Sequence, residues 1–79
     1  MIETIETMLR KNDLWANVYE NKLSNEICVQ INWGDWKHDH LKCKWIMLEN
    51  GFEHTKEEII DEDGSDCYSS IHYFVKKVA

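Results

Sequence analysis

The chain has 79 residues, a hydrophobic fraction of 43% and nine aromatic side chains, four of them tryptophan. A chain of this length makes one domain, residues 1–79, that buries only roughly 60–65% of the surface exposed on unfolding, so its core has to be dense in large side chains. The formal net charge of −6 disfavours binding to phosphate backbones, and no run approaches the ~18–20 apolar residues that a membrane helix needs.

Charge is unevenly spread. Residues 51–79 hold seven acids against Lys56, Lys76 and Lys77, whereas 1–25 and 26–50 each hold four acids and three bases. Such an acidic surface favours a basic protein partner and makes nucleic acid an unlikely one. Cys28, Cys43 and Cys67 are far apart, follow no signal-like apolar segment and are odd in number. Reduced thiols and a cytoplasmic location are therefore expected.

Ile2, Ile5, Met8 and Leu9 recur at helical spacing, with Glu3 and Glu6 near the positive end of the helix dipole and Arg10 and Lys11 near the negative end. A helix over 2–11 follows. Alternation of Leu14, Ala16 and Val18 with Trp15, Asn17 and Tyr19 predicts a strand over 14–20, although the helix could instead run on to about Tyr19. After a turn at 22–25, Ile27, Val29, Ile31 and Trp33 alternate with Cys28, Gln30 and Asn32, the clearest strand signature in the chain.

Gly34-Asp35 ends that strand, and a second helix is predicted from about Trp36 to Glu49, stopping at Asn50-Gly51. Strands over 52–60 and 67–75 flank an acidic hairpin loop, 61–66. The expected fold is α+β, a small antiparallel-dominated sheet with two helices in the order α-β-β-α-β-β.

At about 100° per residue the second helix is apolar on two sides. Leu41, Trp45 and Leu48 form the expected core stripe. Trp36, Cys43 and Met47 lie opposite, with His40 at their edge, and are expected to face a partner or a second copy unless the first helix or a loop covers them.

The segment Trp33-Gly34-Asp35-Trp36-Lys37-His38-Asp39-His40 looks like a metal site. Histidines two apart on a helix point in nearly opposite directions, however, and His40 with Cys43 supplies only two ligands, so no metal or other cofactor is expected. Asp35 is the expected N-cap. Lys37, His38 and His40 crowd the helix start against its dipole, a pattern suited to an anionic group on a partner.

If Ile71, Tyr73 and Val75 face the core, the reverse face of the sheet carries Trp15, Tyr19, Tyr68, His72 and Phe74 among amides. That arrangement offers an alternative function, stacking of single-stranded bases. The loop Asp61-Glu62-Asp63-Gly64-Ser65-Asp66 fails as a calcium loop, because Asp66 stands where glycine is needed and His72 where a bidentate glutamate is needed. Together with Glu57, Glu58, Glu62 and Asp63 it could instead present carboxylates to a Lys/Arg-rich groove.

No nucleophile elbow, phosphate loop or paired-carboxylate pattern surrounds Ser69, Ser70, His72 or the cysteines, so no enzyme activity is expected. In size and composition, though by no single motif, the chain resembles the accessory proteins of bacteriophages and mobile elements of low-GC bacteria. The resemblance implies a small inhibitor that occupies the nucleic-acid groove of a host protein. The expected function is thus a non-catalytic interaction module using Trp36, Lys37, His40, Cys43, Met47, Glu57, Glu58, Glu62 and Asp63, with a homodimeric structural protein as a further alternative.

Overall fold

The computed structural model describes residues 2–77. In chain order these form α1 (Ile2–Lys11), β1 (Asn17–Asn21), β2 (Glu26–Asp35), a π-helical segment (Trp36–Leu41) running into α2 (Lys42–Glu49), β3 (Phe52–Glu62) and β4 (Cys67–Lys76). The four strands make one antiparallel sheet in the order β1-β2-β4-β3. The fold is the expected α+β arrangement, and no helix among the described residues is long and apolar enough to cross a membrane.

α1 ends where expected, and its stop is local. Asp13 takes the left-handed conformation (φ 63°). The Leu14 N–H then returns to the Leu9 carbonyl (2.9 Å) and the Asp13 N–H to the Arg10 carbonyl (2.9 Å), the paired bonds of a Schellman stop. Leu9 and Leu14, which such a stop brings together, are both buried. The helix does not continue to Tyr19, and β1 starts at Asn17 rather than at 14.

β2 buries Ile27, Val29 and Ile31 as expected, but the alternation fails at Trp33. The β2–β4 register slips between Ile31 and Gly34, so Asn32 and Trp33 stand against Ser69 alone. Trp33 sits at φ 51° and is about half exposed, its N–H donating to Ser69 Oγ (2.9 Å). Two further bulges interrupt β3, at Thr55 and Ile60.

The second helix spans 36–49 as expected, its first six residues in π geometry. Asp35 caps it, with Oδ1 accepting from the Lys37 N–H (2.9 Å) and the His38 N–H (2.8 Å). The His38 N–H chiefly holds the Asp35 carboxyl below its ordinary range, slight burial opposes this, and the Lys37 N–H adds to it. Asp35→Ala is expected to lower the melting temperature by a few degrees and Asp35→Asn by less, since an amide oxygen also caps. Gly51 (φ 88°) ends the helix in the left-handed conformation that glycine adopts freely.

Ile5 and Leu9 of α1, Cys43, Ile46 and Met47 of α2, and Val18, Ile27, Val29, Ile31, Phe52 and Phe74 of the strands share one core. Both helices therefore cover the same face of the sheet. Two expectations are overturned. The inward side of α2 is the Cys43/Met47 side, whereas Leu41, Trp45 and Leu48 are 39, 71 and 48% exposed. β4 likewise turns Ser70, His72 and Phe74 inward and leaves Ile71, Tyr73 and Val75 on the helix-free face.

Candidate functional site

Inversion of these two faces brings four polar side chains into the core. His40, from the π-helical segment, meets Ser70 and His72 of β4, all three buried, and Glu57 of β3 stands beside them. His40 Nε2 lies 3.1 Å from the Gly34 carbonyl and 3.0 Å from the Tyr68 carbonyl. Carbonyls only accept, so Nε2 carries the hydrogen and the lone pair of the neutral ring sits on Nδ1.

That Nδ1 faces His72 Nε2 at 2.9 Å and Ser70 Oγ at 3.2 Å, and Ser70 Oγ is also 3.2 Å from His72 Nε2. On the outer side, His72 Nδ1 meets His54 Nε2 at 3.2 Å. The three rings thus form a hydrogen-bonded chain from half-buried His54 to the carbonyls of Gly34 and Tyr68. The Tyr68 ring stacks flat on His40, with centroids 3.9 Å apart and planes 4° apart, and covers the cluster.

Glu57 Oε2 approaches His72 Nε2 (3.6 Å) and His40 Nδ1 (4.0 Å), while Oε1 is 3.7 Å from Lys44 Nζ. Burial pushes His72 down to about 4; Glu57 opposes this, and His40, His54 and Lys44 add to it. Burial and Lys44 likewise lower His54, against Glu57. Burial acts to raise the Glu57 carboxyl, but His72, Ser70 and Lys44 outweigh it and hold the group below its ordinary range. Burial first, then Glu57, pushes Tyr68 up to about 12.

Outside the core, Leu41 at the end of the π-helical segment and Trp45 and Leu48 of α2 line a shallow groove of about 600 Å³ together with Lys37, His38, Lys42 and Lys44. The stripe runs along one side of the helix beside three lysines, Lys37, Lys42 and Lys44. On the hairpin, Gly64 (φ 87°) and an Asp63 Oδ1 bond from the Ser65 N–H (3.0 Å) shape the turn, and the Asp66 carbonyl accepts from the Trp36 N–H (2.9 Å). The acidic tip is therefore tied to the helix start.

The expected partner-binding residues do not form one surface. Trp36 is 46% exposed and Lys37 is exposed, but His40, Cys43 and Met47 are buried. Burial also raises the Cys43 thiol to about 12, so it is chemically inert. Glu57 turns into the cluster, Glu58 pairs with Lys56 (3.2 Å), and Glu62 and Asp63 stay exposed near the hairpin turn. The helix start offers no free anion site, because the Asp35 carboxylate already takes its N–H groups and His40 is sequestered.

The five aromatic residues assigned to a base-stacking face are likewise divided. Tyr68, His72 and Phe74 face the helices, and Trp15 lies against α1, with Arg10 Cζ 5.4 Å from its ring centre. Tyr19 alone is on the helix-free face, in the row Tyr19–Cys28–Tyr73–Lys56. The buried cluster itself was missed by sequence reasoning. His40, Glu57 and His72 are far apart in the chain, and the one available signal was a histidine on the less apolar side of both α2 and β4. Comparison of the chain with protein-family models, with curated proteins and with solved structures yields no match.

Proposed function

We propose that the protein is a non-catalytic interaction module that docks a protein partner on the outward face of α2. The observation that carries this reading is the exposure of Leu41, Trp45 and Leu48 as one stripe on a domain with few large side chains to spare. Burying what remains exposed of each leucine would contribute about 1 kcal/mol and Trp45 about 2, an apolar centre to which polar contacts at the rim would add. The rim of Lys37, Lys42 and Lys44 selects a partner whose apolar ridge is flanked by carboxylates.

The acidic tip supports a second contact, toward basic groups, through Glu62 and Asp63. It is the part of the surface suited to inhibition of a basic, nucleic-acid-binding protein. The two contacts separate by mutation. In nuclease-treated pull-downs, Trp45→Glu/Leu48→Glu is expected to lose the partner, and Glu62→Lys/Asp63→Lys to lose it only if the tip participates. All four positions are exposed, so circular dichroism should show folded variants within about 0.5 kcal/mol of wild type. If the helix variant retains every partner, the docking face is wrong; if sedimentation shows a dimer that this variant abolishes, the face joins two copies of the chain.

A further inference from the structure

We propose that His40, Glu57 and His72 ligate a divalent transition-metal ion, zinc by preference, inside the fold between the π-helical segment and the β3–β4 pair. One donor atom from each of the three residues lies within 4.8 Å of the others. Four-coordinate zinc, at about 2.0–2.2 Å from each nitrogen or oxygen, needs donors roughly 3.4 Å apart. The observed separations, 2.9, 3.6 and 4.0 Å, straddle that value. Ser70 Oγ lies 3.2 Å from both histidine nitrogens, beside the position a fourth ligand would take.

The surrounding groups are those that a metal site requires. A ligating imidazole ordinarily donates its other N–H to a carbonyl or carboxylate, which fixes its tautomer and aims the lone pair. His40 does this through the Gly34 and Tyr68 carbonyls, leaving Nδ1 directed at the centre. His72 presents Nε2 to the centre and Nδ1 to His54, so coordination needs only the tautomer in which Nδ1 holds the hydrogen and donates to His54 Nε2.

Glu57 adds an independent argument. Its Oε2 is buried and makes no well-formed hydrogen bond among the described residues, although the Ser70 and Tyr68 hydroxyls lie near enough to its carboxylate to help hold it ionised. A buried carboxylate oxygen without a donor is costly, and a cation at the centre of this cluster would satisfy it. Two imidazoles and a carboxylate form a nitrogen–oxygen set suited to zinc rather than to calcium or magnesium, which prefer all-oxygen shells of higher coordination. The Tyr68 ring, stacked on His40, covers one side of the site, and Ser70 Oγ stands beside its fourth position.

The test uses the full chain, stripped with chelator and exchanged into metal-free buffer, then titrated with zinc and separately with cobalt(II). One equivalent is expected to bind with a dissociation constant in the micromolar range or tighter, with the visible spectrum of four-coordinate cobalt and a zinc-dependent rise in melting temperature. Glu57→Gln, which preserves shape, should weaken binding at least tenfold, and His72→Asn should abolish it; His38→Ala, on the exposed neighbour, should leave it intact.

Because a buried substitution can unfold the chain, the decisive reading is on wild type. One equivalent of zinc should shift the NMR resonances of His40 Nδ1 and His72 Nε2. No saturable binding, a shift confined to His38, or wild-type affinity in folded Glu57→Gln and His72→Asn would each overturn the site.

Discussion

Between pH 7 and pH 4 the metal-free protein is expected to lose roughly 3 kcal/mol of stability through His72 alone. The ring is buried among Ser70, His40 and Phe74, and in the fold it takes up a proton only near about 4, against 6.5 for an unperturbed histidine. Across that window the unfolded chain binds the proton and the folded chain does not, so stability is intact above about 6.5 and falls as the pH drops toward 4. The slope for one such group is about 1.4 kcal/mol per pH unit.

His54, also lowered, adds to the loss in the same direction. Glu57, lowered from 4.5, extends it below that pH as its carboxylate is protonated. Urea midpoints measured with chelator present should therefore fall steadily from pH 7 to pH 4.5. A flat profile over that interval, or a His72 ring that titrates by NMR near 6.5 in the folded protein, would show that the cluster is not dry.

Replacing Gly34 by alanine is expected to cost roughly 3 kcal/mol, the upper end of what overpacking a tight site costs, and to lower the melting temperature by at least about 10 °C. Gly34 is buried at the β2 bulge, and a Cβ there would overlap Ile31 Cγ2 and stand 2.9 Å from Asp39 Cβ. Neither neighbour has room to yield. Ile31 is part of the core, and Asp39 Oδ2 accepts the Asp35 N–H at 2.7 Å, holding the helix entry. The Gly34 carbonyl also anchors the His40 ring, so any backbone shift is passed to the buried cluster.

Gly64→Ala provides the comparison. Its φ of 87° strains any other residue, yet nothing lies within 4 Å of the added methyl, so the cost should be only about 1–2 kcal/mol. Thermal melts of the two variants separate crowding from backbone strain. Equal losses would mean that the space around Gly34 is not as tight as described.

The parts of this fold that were legible in the sequence are those set by near neighbours in the chain. α1 and its Schellman stop, the Asp35 cap and the Asn50-Gly51 terminus depend on residues within a turn of one another. β2 was legible to Ile31 and lost at Trp33, because the bulge is defined by which β4 residue stands opposite. The two inverted faces have a single cause. In α2 and in β4, hydropathy selects Leu41/Trp45/Leu48 and Ile71/Tyr73/Val75, yet the buried sides carry His40 and Ser70/His72.

Those polar groups are tolerable inside because they satisfy one another across the gap between helix and sheet. Residues 30 and 32 positions apart must meet for that to happen, and periodicity within one element carries no trace of it. Burying the polar side then leaves the more apolar side of each element outward. The exposed Trp45 and the buried His40 on the same helical run are two results of one choice.

The bulges in β3 have a consequence for how anything attaches to this sheet. β3 is an outer strand, and its ladder with β4 slips at Thr55 and again at Ile60, leaving only Lys56–Ile59 in unbroken register between the slips. An extended peptide laid along that rim would lose step after four residues and would meet Lys56, Glu57 and Glu58 on the way. The rim is thus guarded against growth into fibrils. The opposite rim, β1, has five residues, so strand addition by backbone bonding has little purchase at either margin, and recognition falls to side chains.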